Sequence, residues 1–192
     1  VDPAVPRPLG TAASPPLKVT VRVIKTKNNI ASVRAYTRVM WNPESAALLL
    51  SDAGTGADSI AGDGIYSGNL PTNGVAPGQM LRWRFEAQDS AGGITKFPAF
   101  ADPLDSPQYF GTVAANAATA TSQLPVLEWF VESSPVNGPT AGAFRGACYY
   151  LNRFYDNIGH EIHGQSTAGF GKKSYDFDSN DDHRFVWKEG ER

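Results

Sequence analysis

YDNIGHEIHGQSTAGFGKKSYDFDSNDDHRFVW (Tyr155–Trp187) reads as a strand, a glycine-rich bend and a second strand opened by two lysines. Asn157, Gly159, Gly164, Gly169 and Gly171 punctuate it, and a tight bend needs the positive backbone angles that glycine takes freely. Lys172 and Lys173 lead into Ser174, Tyr175 and Phe177, an aromatic run suited to a strand. Just upstream, Leu124–Val131 (LPVLEWFV) is nearly continuous in apolar residues, the pattern of a strand buried on both faces. Ala147–Asn152 (ACYYLN) is a further predicted strand, and Phe185–Trp187 another. The C-terminal third is therefore expected to be one sheet.

Further upstream the pattern is that of short strands between turns. Leu17, Val19, Val21 and Val23 alternate with Lys18, Thr20 and Arg22, the period of a half-buried strand. Val33, Ala35, Thr37, Val39 and Trp41 share one face of a second strand, with Arg34, Tyr36 and Arg38 on a solvated face. Ala46–Leu50 is a short apolar strand, and Met80–Asp89 the clearest of all, with Leu81, Trp83, Phe85 and Ala87 pointing one way and Arg82, Arg84 and Glu86 the other. Gly92-Gly93 is a hairpin turn into Ile94–Phe97, and Tyr109–Val113 closes the series. Residues 1–16, with five prolines, form a lead-in that cannot pair as a central strand. Ala114–Gln123 (AANAATATSQ) is small and polar and marks the domain boundary. The organisation expected is a lead-in (1–16), a β-sandwich (17–113), a linker (114–123) and a second unit (124–192).

Composition bounds the function. The 192 residues are 41% hydrophobic and 19% charged, which places the chain among globular proteins. Nineteen Gly and fourteen Pro, with no long amphipathic run, point to a mostly β class. A net charge of −2 argues against nucleic-acid binding through a broad basic field. No apolar run is long enough for a membrane span. The single Cys148 cannot form an internal disulfide and leaves the compartment open. Val1-Asp2-Pro3 shows no charged leader, so the chain is expected to be an excerpt or a processed product.

Four blocks, Tyr155-Asp156-Asn157, Gly164-Gln165-Ser166-Thr167, Lys172-Lys173-Ser174-Tyr175 and Asp182-His183-Arg184-Phe185, stand in the order of a family signature. Together they resemble spore-coat CotH proteins, an atypical kinase-fold family also found in many extracellular bacterial proteins. Ser51–Pro71 with Gln88–Gly92 resembles the Ig-like or fibronectin-III-like sandwiches that precede catalytic or anchoring domains in such proteins. The resemblance implies a secreted, periplasmic or cell-surface location. It also implies a nucleotide site in which Lys173, or its neighbour Lys172, reaches phosphates beneath a turn containing Gln165 and Ser166, with ATP and Mg²⁺ as cofactors. Glu161 and His163 stand where the family carries arginines, which removes positive charge from such a site. The family's metal-binding and catalytic aspartates lie well after the lysine region, and the chain given ends at Arg192. The expectation is therefore a structural or interaction subunit that is not catalytic as given, its partner another protein chain or a continuation. The alternative is the front part of an ATP-dependent protein kinase.

Three further groups of side chains have chemistry of their own. Asp52, Asp58 and Asp63 lie in a glycine-rich loop whose oxygens could hold Ca²⁺, although aspartates also cap turns by accepting nearby backbone N–H groups, and that role is the stronger expectation. His160 and His163 are three apart on a strand and so face opposite sides, which disfavours a shared metal. Tyr36, Tyr149 and Tyr150 could contact a carbohydrate or a protein, but sheet packing accounts for them.

Overall fold

The structure, a computed structural model, describes residues 16–132, 144–164, 170–172 and 174–187. Its strands are β1 (Leu17–Arg22), β2 (Ile30–Val39), β3 (Leu48–Leu49), β4 (Ile65–Leu70), β5 (Met80–Asp89), β6 (Ile94–Phe97) and β7 (Phe110–Val113), then β8 (Glu128–Val131), β9 (Phe144–Tyr150), β10 (Arg153–Ile162) and β11 (Tyr175–Asp178). A four-residue helix, α1 (Ala117–Ala120), lies between β7 and β8, its first turn capped by the Asn116 side chain. The protein is thus mostly β, and every strand pairing is antiparallel.

β1 and β4 form a two-stranded sheet, which faces a second sheet ordered β3-β2-β5, with β6 and β7 both lying along the far edge of β5. The alternation in the sequence decides what lies between them. Leu17 and Val19 from β1 and Leu70 from β4 meet Val33 and Ala35 from β2 and Leu81, Trp83 and Phe85 from β5, all buried. The opposite face of the second sheet is not the solvated one expected. Arg34, Tyr36 and Arg38 are half-buried, and Arg84 lies over the Tyr36 ring at 4.2 Å.

β11-β10-β9-β8 form a third sheet. A two-residue turn at Leu151-Asn152, both with positive φ, joins β9 to β10. The twist of a hairpin favours this left-handed geometry, and asparagine tolerates it. Strand β9 thus ends at Tyr150, two residues before the end expected. One face of this sheet is turned to the second sheet. Phe130, Ala147, Tyr149 and Phe154 share a buried cluster there with Met80 and Val113.

Two expectations fail on the third sheet. Leu124–Val131 is not a strand buried on both faces: only Glu128–Val131 pairs, Phe130 alone is buried, and Leu124 is exposed. Pro125 has no N–H to give to a ladder, so pairing starts beyond it. Phe185–Trp187 is not a strand. The Phe185 ring stacks on Tyr150 and packs on Tyr155, with centroids at 5.4 and 4.7 Å, and its backbone is irregular.

In the Ala114–Gln123 stretch Ala114 is buried, whereas Thr121–Pro125 is exposed. Limited proteolysis is expected to nick residues 116–125 early, because small exposed side chains offer the backbone to a protease. The two fragments should co-elute from a sizing column, since the cluster shared by β5, β7, β9 and β10 does not depend on that connection. Early separation of the fragments would contradict this.

Candidate functional site

The acidic loop brings its three predicted residues together. One carboxylate oxygen from each of Asp52, Asp58 and Asp63 lies within 4.8 Å of the others. Those oxygens already have work. Asp52 accepts from the N–H groups of Gly62, Asp63 and Gly64 at 2.9, 3.2 and 3.1 Å, Asp58 from Gly54 at 2.6 Å, and Asp63 from Ile65 at 2.8 Å. Gly54, Gly62 and Gly64 all carry positive φ, so the loop must fold tightly, and the aspartates neutralise the N–H groups it turns inward. The geometry displayed is that of a turn clasp.

The predicted hairpin is present as β10 and β11, with Glu161 opposite Asp176 and Ile162 opposite Tyr175. Lys172 is exposed and lies before the second strand, which begins only at Tyr175. Lys173, Gln165 and Ser166 lie outside the described residues. His163 is exposed and paired with Asp176 at 2.7 Å. His160 is buried on the opposite side, edge-on to Trp129 at 5.1 Å between ring centroids. Burial, and then the Arg145 charge, pulls its imidazole below the usual range and favours the neutral ring. The two histidines therefore do not converge on one ion.

The densest polar site is one that reading the sequence did not find. A bulge between Tyr155 and Ile158 turns Asp156 toward the second sheet. Its carboxylate is 3.3 Å from Arg82 of β5 and accepts from the N–H groups of Gln108 and Tyr109 at 3.0 and 2.8 Å. Both ionic side chains are 3% exposed. The Arg82 guanidinium lies between two rings, 4.3 Å from Trp41 and 5.0 Å from Tyr109, and donates to the Met40 carbonyl. The next residue, Asn157, has positive φ and donates to the carbonyls of Pro103 and Ser106 at 2.9 and 2.7 Å. Arg145 donates to Asn157 and to Asn180, and Asn180 returns a bond to the Asp156 carbonyl at 2.8 Å. The block Tyr155-Asp156-Asn157 thus locks the third sheet onto the second. Asp156 follows two aromatic residues, Phe154 and Tyr155, in β10, but its partner lies 74 residues earlier.

No protein-family model matches this chain. No curated protein matches it either. The functional reading rests on the molecule itself.

Beside the lock, Glu44 accepts a two-pronged bond from Arg84 at 2.7 and 2.9 Å and one from the Tyr109 hydroxyl at 2.9 Å. The Arg84 bond holds the Glu44 carboxyl below its ordinary 4.5, against the opposing effect of partial burial. A depressed folded value stabilises the fold above pH about 4.5, and that stability is lost as the pH falls through the folded value. Urea melts at pH 6 and pH 3 should therefore show wild type exceeding Glu44→Gln at pH 6, with the gap closing at pH 3. A gap independent of pH would refute the assignment.

The face of the third sheet turned away from the lock is aromatic. Trp129 packs edge-on against Tyr175 and Phe177 at 5.0 and 5.1 Å, and Cys148, Tyr155 and Ile158 form a small buried cluster beneath Leu127, Tyr150 and Phe185. Burial drives the Cys148 thiol up to about 12, so it is an inert apolar group here. The described residues leave this face incompletely covered: Phe177 is 38% and Trp187 63% exposed, and a cavity of about 410 Å³ opens between Leu127, Ile158, Phe177 and Trp187. Among the described residues no helix is long and apolar enough to cross a membrane.

Proposed function

We propose that this chain is a secreted or envelope structural and interaction subunit, in which an Ig-like sandwich carries a CotH-like sheet. The outer aromatic face of that sheet packs against further polypeptide, either another chain or a continuation of this one. The observation that carries the reading is the contrast between the two faces. One is fixed by a buried cluster and a buried ion pair, while the other leaves Phe177 and Trp187 open around a cavity. An open apolar face on a rigid sheet is a contact surface. The Ig-like part draws support from two facing antiparallel sheets with a shared core.

The test is light scattering with amide exchange on residues 1–192. Association, or dye binding to exposed apolar surface, is expected and should be lost in Phe177→Lys and Trp187→Lys. A monomer with strong protection across 124–187 and no dye binding would overturn the proposal.

A second reading, the front of an atypical ATP-dependent protein kinase, draws on the pairing of β10 with β11 and on Lys172 shortly before β11. Glu161, Asp176 and Asp178 lie on that hairpin and disfavour phosphate. Calorimetry is expected to detect little ATP·Mg²⁺ binding. Micromolar binding abolished in Lys173→Ala would favour the kinase reading instead.

A further inference from the structure

The two facing sheets of the sandwich are joined along one side and part along the other. After β3, Ser51 exchanges backbone hydrogen bonds with Ser67 of β4 at 3.0 and 2.8 Å, which closes that side. On the other side β1 and β6 are edges: among the described residues β1 pairs only with β4, and β6 only with β5. A cavity of about 510 Å³ lies between them, walled by Val21, Val23, Phe85, Ala87 and Phe97. Phe97 is 48% exposed at its mouth.

The backbone of β1 is placed to accept a further strand. Val23 donates to the Gly64 carbonyl at 2.9 Å, so Val21 and Val19 also turn their N–H and C=O groups toward β4. Those of Lys18, Thr20 and Arg22 therefore point to the gap. An extended segment laid there would gain a ladder with β1 and send every second side chain into the cavity.

Charge decides the kind of segment. Lys18 and Arg22 stand exposed on the outward face of β1, and their cross-strand neighbours in β4 are Asn69 and Ile65, which do not offset them. Lys25 and Lys27 follow in the next loop, both exposed. The acid in the cavity wall, Asp89, already accepts from the Asn28 side chain and from the N–H groups of Ala91 and Gly93. The β1 strand of a second copy is a poor occupant. Antiparallel pairing about Thr20 would set Lys18 opposite Arg22 twice, and like charges directly opposite destabilise a pair.

We propose that the gap between β1 and β6 binds an extended strand of a partner protein in which apolar and acidic residues alternate, the apolar ones in the cavity and the acidic ones beside Lys18 and Arg22. The site shares no residue with the aromatic face of the third sheet, so either assignment can fail without the other.

The test titrates the ¹⁵N-labelled full chain with two capped heptapeptides, one alternating glutamate with valine and the other alternating lysine with valine. The glutamate peptide is expected to give saturable shifts at the amides of Lys18, Thr20, Arg22, Ala87 and Phe97, and to slow exchange of the first three. The lysine peptide should give none, and N-methylating the backbone of the glutamate peptide should abolish its binding. Lys18→Glu combined with Arg22→Glu changes only exposed side chains. It should weaken the glutamate peptide about tenfold and admit the lysine peptide, as reversing two cross-strand charge pairs does. No saturable shift with the glutamate peptide would overturn the proposal, as would equal affinity for both peptides or shifts confined to the third sheet. Amides of Lys18, Thr20 and Arg22 already protected in the chain alone would overturn it too, because a second copy or the chain's own residues would then fill the gap.

Discussion

Asp156→Ala is expected to cost about 3–5 kcal/mol, the penalty for removing one member of a buried ion pair and leaving the other charge without its partner. The lost carboxylate would also leave the Gln108 and Tyr109 N–H groups unpaired in a buried setting. Domains of this kind have only about 5–15 kcal/mol of net stability, so the loss is a large share of it. The effect should be directional. β5 and β2 retain their own core, so the third sheet should loosen first, and amide exchange should accelerate across β9 and β10 before β5. Replacing both partners, Arg82→Met with Asp156→Leu, should recover most of the stability, because apolar groups of similar size avoid the desolvation cost that the ion pair bears. Denaturant melts of the single and double variants decide the matter. A single variant within 1 kcal/mol of wild type would show that water reaches this pair.

The sandwich was legible because its strands alternate and its turns contain glycine. β5 has the bounds expected, and Val33 and Ala35 of β2 point into the core as their spacing predicts. β4 was hidden, since IYSGNL lies in a stretch rich in Gly and Asp. Its Gly68 is what lets Leu50 pack on the strand, where a Cβ would sit 2.4 Å from a Leu50 methyl. Apolar runs misled where chain direction mattered. LPVLEWFV and FVW have the composition of strands, but composition does not say whether a run finds a ladder partner or an aromatic cluster. The site was less legible than the fold. The Asp52, Asp58 and Asp63 grouping could be read because its members are close in sequence. The Arg82–Asp156 lock could not, because its partners meet only once two sheets have formed.

These two kinds of legibility have one physical origin. Local patterns encode which face of a strand is apolar, and burial then selects the sandwich. The docking of the third sheet is decided by a few long-range contacts whose energies are large individually: one ion pair, one bulge and one ring lying against one glycine. Substitutions at those points should therefore separate the sheets without erasing them.

The ring and the glycine give the second large effect. The Phe154 ring lies against the Gly111 backbone in β7, so closely that a Cβ on residue 111 would sit 2.4 Å from two ring carbons. Phe154 is 8% exposed and belongs to the cluster that joins the sheets. Phe154→Ala should cost about 3–5 kcal/mol through lost burial and the cavity it leaves. Gly111→Ala should cost about 1–3 kcal/mol, because the ring must move within a packed cluster to admit the methyl group. Combined, the two should cost less than their sum by more than about 0.5 kcal/mol, since deleting the ring clears the space that the new methyl needs. Urea melts of the four proteins in the cycle measure this directly. Simple additivity would mean that the ring and the glycine do not constrain each other, and would overturn this contact as a determinant of the docking.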